Sequence, residues 1–463
     1  MLRGLILAST AAALLSSVAA SAAADPPPAP GGDCGFDIDR HALMQPDADA
    51  ANQPVGTTRL ISVDQSGGVG DLGSYSGAPS TDGSLVAFNS YATDLVSGDT
   101  NGESDIFLRH RNDHSTTKIS EAPGGSQADD GSYGPVITPG GRFVAFFSDA
   151  TNLVAGDTNG REDVFLFDRS TRVTTLVSHS MTGGSANGQS FSPSMSADGR
   201  YVTYYSSADD IVPRDGRYGL HVFVWDRFTD ETFLISRGLD GKPAKGASYY
   251  PDISGDGRYV TFGSKARNLV PGPRDRKLHV YLYDRVADAI VRVDQTPHGV
   301  PGNRRAAHAA TISLDGTHVA FGSRARNLSD RDSNYYPDVF VYDVELGTIE
   351  LITHAYDGGP ADGGVYYEYR PTISADGRYV AFDSYATNLV SDDSTPSGDA
   401  FVYDRTTDTA TLVSRTPDGQ ANRTSFRVMI GDDGRFVTYY TYADNLFDGD
   451  DNGCTDVFIY RVN

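Results

Sequence analysis

Asp448, Asp450, Asn452 and Asp456 place oxygen-bearing side chains at the first, third, fifth and ninth positions of DGDDNGCTD, with Gly453 at the sixth. A tight loop turns alternate side chains inward together, and a hard cation takes several oxygens. The spacing is therefore that of the first part of an EF-hand-like calcium loop. The pattern returns as Asp330, Asp332, Asn334 and Asp338. It returns in three-ligand form as Asp99, Asn101 and Asp105, and as Asp157, Asn159 and Asp163. Asp393, Thr395 and Asp399 make a weaker copy, while His221 and His279 take the ninth position in two further loops. Calcium in a structural role is the expectation. The alternative is that Asp and Asn cap these turns through their own backbone, with no metal.

Where the acidic loop fails, positive charge gathers: Lys265, Arg267, Arg274, Arg276 and Lys277, then Arg304 and Arg305, then Arg324 and Arg326. The chain carries 61 acidic against 38 basic residues, a net charge of -23, so it would repel duplex nucleic acid. On that background the cluster predicts a local patch for an anionic glycan or a protein, unless Asp275, Asp330 and Asp332 absorb the charge. His221, His279 and His308 fall in the same part of the chain, but no G-x-S-x-G elbow, H-E-x-x-H run or Cys-His zinc spacing accompanies them. The residues therefore favour a non-catalytic binding or scaffolding module for a cell-envelope glycan or an exported protein. The alternative is a polysaccharide lyase holding an acidic polysaccharide on the basic sector.

The elements that position these residues repeat. A turn leading into an apolar strand recurs as TDGSLVAF, PGGRFVAF, ADGRYVTY, GDGRYVTF, LDGTHVAF, ADGRYVAF and DDGRFVTY, its glycines (Gly83, Gly141, Gly199, Gly257, Gly316, Gly377, Gly434) 57 to 61 residues apart. Each unit has four strand signals: a P-x-I-S-like run, the strand after the turn, a run such as DVFLFDR, and a short one such as TLVS. Four short strands per repeat, in seven repeats, describe an all-β, seven-bladed propeller of four-stranded antiparallel blades. The last unit stops after its third strand at DVFIYRVN, and RLISV at 59–63 supplies the missing fourth. The N-terminal strand is thus expected to complete the last blade and close the ring.

These units resemble the WD40-like, TolB-type propeller repeat, through S-x-D-G-x-x-[IVL]-[AV]-[FY] followed by a strand ending in Asp. The resemblance covers 57–463 and implies the fold. TolB-type propellers usually have six blades and an N-terminal α/β domain, which residues 25–56 are too short to supply. Residues 1–24, basic at Arg3 and then apolar, read as a secretory signal, and 25–56 as a flexible Pro/Ala/Asp-rich arm. No later segment is apolar enough to span a membrane, and the exported chain is expected to be a monomer. Cys34 and Cys454 either pair or stand as separate thiols. Long loops fall only between second and third strands and between blades, which places them on one face. An aromatic slot at Tyr75, Tyr133, Phe191, Tyr249, His308, Tyr369 and Phe426 lines the channel mouth or packs between blades.

Overall fold

The computed structural model describes residues 50–213, 219–272, 275–366 and 370–463, and of His308 the backbone only. The signal-type segment, the arm up to residue 49, Cys34, Arg274 and Tyr369 lie outside the described residues. Seven four-stranded antiparallel sheets make the ring. Blade 2 typifies them, with Ser132–Ile137, Phe143–Ser148, Asp163–Asp168 and Val173–Leu176 in order from the axis outward. Its second strand is buried at every residue, because neighbouring blades cover both of its faces.

One stacked aromatic pair links the second and third strands of each blade. Phe88–Phe107, Phe146–Phe165, Tyr204–Phe223, Phe262–Tyr281, Phe321–Phe340, Phe382–Phe401 and Tyr439–Phe458 have ring centroids 5.6 to 6.1 Å apart. Such cross-strand pairs are the unit of sheet stabilisation, here repeated at one register. The turn glycines join blade to blade. Gly257 has φ +73, and a Cβ on it would stand 2.2 Å from Tyr201 of the preceding blade. The same relation holds across the closure, where Gly83 lies against Phe436.

Closure follows the expected order, with the strand at Thr58–Leu60 where 59–63 is expected. Thr58–Leu60 pairs with the third strand of blade 7, Leu60 opposite Phe458 and Thr58 opposite Tyr460. The strand ends early because Val63 already bridges Val69 in a small hairpin. The channel-side aromatics pack between blades: Phe191 lies 5.8 Å from Phe147, Tyr249 6.1 Å from Tyr205, and Tyr75 5.4 Å from Tyr440.

Candidate functional site

The acidic loops are built around one polar link per blade. The residue opening the third strand meets a small polar residue two positions past the end of the fourth: Asp105 with Ser120 at 2.5 Å, Asp338 with Thr353 at 2.7 Å, Asp399 with Ser414 at 2.8 Å, Asp456 with Ser62 at 2.6 Å. Asp163 likewise accepts from Ser178. Blade 3 has His221 with Ser236 at 3.3 Å. Blade 4 exchanges acid and partner, so that His279 Nδ1 meets Asp294, just after the fourth strand, at 2.7 Å and its Nε2 meets Asp275 at 2.9 Å. His279 is therefore already engaged on both ring nitrogens.

The loop asparagines are pins. Asn159 Nδ2 donates to Asp163 at 2.6 Å and to the Ala186 carbonyl at 2.7 Å, while its Oδ1 accepts the Arg161 amide at 2.7 Å. Asn101 and Asn452 repeat this triple role, and Asn334 holds Ala361 O and the Tyr336 amide. The turn-capping alternative is thus present in every such loop. Of the carboxylates, those at the third and ninth positions (Asp99, Asp105, Asp157, Asp163, Asp332, Asp338, Asp450, Asp456) are buried. Asp330 and Asp448, at the first position, are exposed. Among the described residues no three His, Cys, Asp or Glu side chains gather closely enough to hold a metal; the third- and ninth-position carboxylates act on each other in pairs.

What faces each pair differs between blades. In blade 1 the Lys118 ammonium sits between Asp99, at 3.2 Å, and Asp105, at 3.0 Å. In blade 6 Gln420 Nε2 reaches Asp393 at 2.9 Å, Thr395 at 3.0 Å and Asp399 at 2.9 Å. In blade 2 both Asp157 carboxylate oxygens are buried without a hydrogen-bond partner, as are Asp332 Oδ1 and Asp338 Oδ2 in blade 5. Burial, reinforced by Asp157, pushes the Asp163 carboxyl up to about 8. Burial and then Asp456 do the same to Asp450, also to about 8.

The basic sector is partly self-compensated. Lys265, Arg267, Arg276, Lys277, Arg304 and Arg305 are exposed, and Arg324 and Arg326 half-buried. Lys277 pairs with Asp275 at 3.1 Å, and Arg326 and Arg304 ease the charge of Asp332, whose carboxyl burial otherwise raises. The Arg326 guanidinium also lies over the Tyr335 ring at 4.2 Å. Tyr335 and Tyr336 of the blade 5 loop, Tyr356 of the next connection and Tyr385 of the blade 6 loop are exposed on the same face. Sequence reading passed over these tyrosines, although the YY at 335–336 was a visible signal.

A His354–Tyr403–Asp408 group resembles an acid–base triad, with His354 Nε2 3.0 Å from Asp408 and 3.1 Å from Tyr403. The same arrangement recurs as His179, Trp225 and Asp230, and as Arg237, Tyr283 and Asp288, so it is an inter-blade clamp.

The first strands of all seven blades line a central cavity of about 130 Å³. Within it Asp252 accepts from Ser194 at 2.6 Å and from the Ile312 amide at 2.8 Å, and faces Arg370 at 3.7 Å. Burial raises the Asp252 carboxyl, with Arg370 opposing the shift. Nearby first-strand positions Ser76, Ser192, Tyr250 and Arg427 hold left-handed backbone at φ 46 to 55, where each strand bulges. Sequence reading missed this group too; the residues before and after Pro in SYYPDIS and EYRPTIS were its only trace.

No family model and no curated protein sequence matches the chain. Solved structures match in fold. An oligogalacturonate lyase from Vibrio parahaemolyticus is 12% identical over 89% of this chain and 99% of that one, with TM-score 0.52. The propeller domain of the Trilobed protease from Pyrococcus furiosus is 13% identical over 84% and 95%, with TM-score 0.50. TolB from Acinetobacter baumannii also matches, at 16% identity over 76% of this chain and 66% of that one, just under two thirds of its length, with TM-score 0.40. At these identities the likeness is one of propeller architecture, and function has to be argued from the site.

Proposed function

We propose that this protein is an exported, non-catalytic binding module whose ligand, an anionic glycan, seats on the long-loop face over blades 4 to 6. The observation that carries the reading is the exposure of Tyr335, Tyr336, Tyr356 and Tyr385 beside Arg304, Arg305 and Arg326. Tyrosine offers a flat apolar face with a polar tip, and arginine offers a planar fork that fits carboxylates, a combination enriched at binding hot spots. The cavity on the axis, at about 130 Å³, is well below the roughly 300 Å³ at which small-molecule pockets begin. The outer face is therefore the better platform. Export is supported by the signal-type residues 1–24 and by Cys454, which is buried and disulfide-bonded, since disulfides persist in oxidising compartments.

The test is titration of the full chain with acidic and neutral polysaccharides, comparing the native protein with Tyr335→Ala and Arg326→Ala. Expected are binding of the acidic series and a loss of about tenfold or more in each variant. Binding to neutral glycans alone, or to none, would refute the glycan reading, and capture of an exported protein through the same residues would replace it. Cleavage of the acidic polysaccharide to an unsaturated product would establish the lyase alternative.

A further inference from the structure

Lys118 stands where blade 2 carries the apolar Leu176 and blade 4 carries Arg292. It lies opposite Phe107 on the fourth strand of blade 1, and the register places Leu176 opposite Phe165 in blade 2. From there the Lys118 ammonium reaches both buried carboxylates, Asp99 and Asp105. Asp105 Oδ2 accepts the ammonium at 3.0 Å and the Asn101 amide at 3.1 Å together, so the asparagine pin and a cation coexist on one oxygen. Blade 6 meets the same demand with Gln420. The space between third-position and ninth-position carboxylates is therefore a donor position of the repeat, filled by an ammonium in blade 1 and by a neutral amide in blade 6.

Blade 2 keeps the carboxylates and lacks the donor. Asp157 is 6% exposed and Asp163 fully buried. Leu176 replaces the lysine, and Ser185 occupies the glutamine's place in the repeat. The Ser185 hydroxyl accepts from the Thr158 amide at 3.1 Å; it and the Asn159 amide ease the Asp157 charge, but neither meets a carboxylate oxygen at ordinary hydrogen-bond geometry and neither is a cation. Asp129 and Glu162, the other charged groups acting on the pair, are also acidic. Ser178 and Asn159 donate to Asp163, but two buried carboxylates with no cation between them cannot both stay ionised without a large cost. We infer that blade 2 binds one divalent cation of the calcium type between Asp157 and Asp163, in the position that Lys118 fills in blade 1. Oxygen from the loop and water would complete the shell that a hard cation requires. Blade 5 carries the same pair, but Arg326 and Arg304 already offset part of its charge.

This inference does not rest on the glycan reading. Its test is calorimetric titration of the full chain with CaCl2, alongside melting in EDTA and in about 10 mM CaCl2, a concentration above the range of extracellular calcium modules. The native chain is expected to bind calcium and to melt several degrees higher with it. Asp157→Asn removes a charge without changing shape and should lose one equivalent. Leu176→Lys should also lose one equivalent, and should melt in EDTA at or above the native temperature because it supplies its own cation. Stoichiometry unchanged in both variants, or no calcium binding by the native chain, would overturn the assignment. A calcium-independent rise in melting temperature for Asp157→Asn would also overturn it, since that is the behaviour of an unneeded buried acid.

Discussion

Replacing His279 by Asp in blade 4 would set two carboxylates face to face where a ring nitrogen and a carboxylate now meet at 2.7 Å. His279 is 2% exposed and Asp294 0%, so water cannot relieve the clash. Arg292 eases part of that charge, and the remainder, buried without a partner, costs about 3 kcal/mol. Asp294→Ser alone removes the acceptor used by His279 and by the Val280 amide, at 3.1 Å, which costs about 1–3 kcal/mol. Together the two changes recreate the Asp–Ser pair of blades 1, 2, 6 and 7. Asp275 has to be neutralised as well, because it lies 2.9 Å from His279 where blade 2 has Asn159. The cycle therefore belongs in an Asp275→Asn background. There the double variant should fall within about 1 kcal/mol of its parent, giving a coupling energy of about 3 kcal/mol or more. Urea unfolding followed by circular dichroism, with midpoints compared at a common slope, measures each corner of the cycle. Additivity within about 0.5 kcal/mol would refute the claim that blade 4 is the same polar link with its ends exchanged.

Three further outcomes are expected. Gly257→Ala combines a positive φ with a Cβ 2.2 Å from Tyr201 and should destabilise by about 2–4 kcal/mol, whereas Gly241→Ala, at the same φ of +73 but in open space, should cost about 1 kcal/mol. Equal losses in urea unfolding would show that blade contact does not require that glycine. Burial pushes the Asp383 carboxyl up to about 8, so the stability it contributes as a neutral acid is present below its unfolded value and lost as the pH rises from about 4 to 8. Asp383→Asn should therefore stabilise by about 1–3 kcal/mol at pH 8 and not at pH 4; a gain independent of pH would contradict this. Deleting residues 50–62 removes the strand paired with Asp456–Arg461 and bares an edge, so the chain should associate on size-exclusion chromatography; a stable monomer with native melting would rule out closure by that strand.

The repeat was legible because its signals are local. A Gly at positive φ, a period-two apolar run and a polar residue at a strand end each act within a few residues, and their recurrence every 57 to 61 positions counts the blades. The acidic loops were legible as a pattern, yet their chemistry was not. The sequence spacing suggested three or four inward oxygens, whereas Asp330 and Asp448 are exposed and the asparagines hold carbonyls of the following connection. Charge counting likewise found the blade 4–5 cations and the acids Asp275 and Asp332 that offset them, but not Tyr335, because Arg326 meets that ring only through the folding of its loop.

By itself the sequence determined an all-β ring of seven blades, closed by its own N-terminal strand, with its long loops on one face. These follow from periodicity, turn chemistry and the requirement that strand edges be paired. Only the tertiary structure decided which group faces each buried carboxylate pair, since Lys118 and Gln420 approach from 13 to 27 residues away on other elements. It alone decided that Asp252 and Arg370, on blades 4 and 6, meet on the axis. The physical reason is that burial and partner distance set the energy of a charge, and both are properties of the closed ring rather than of any single repeat.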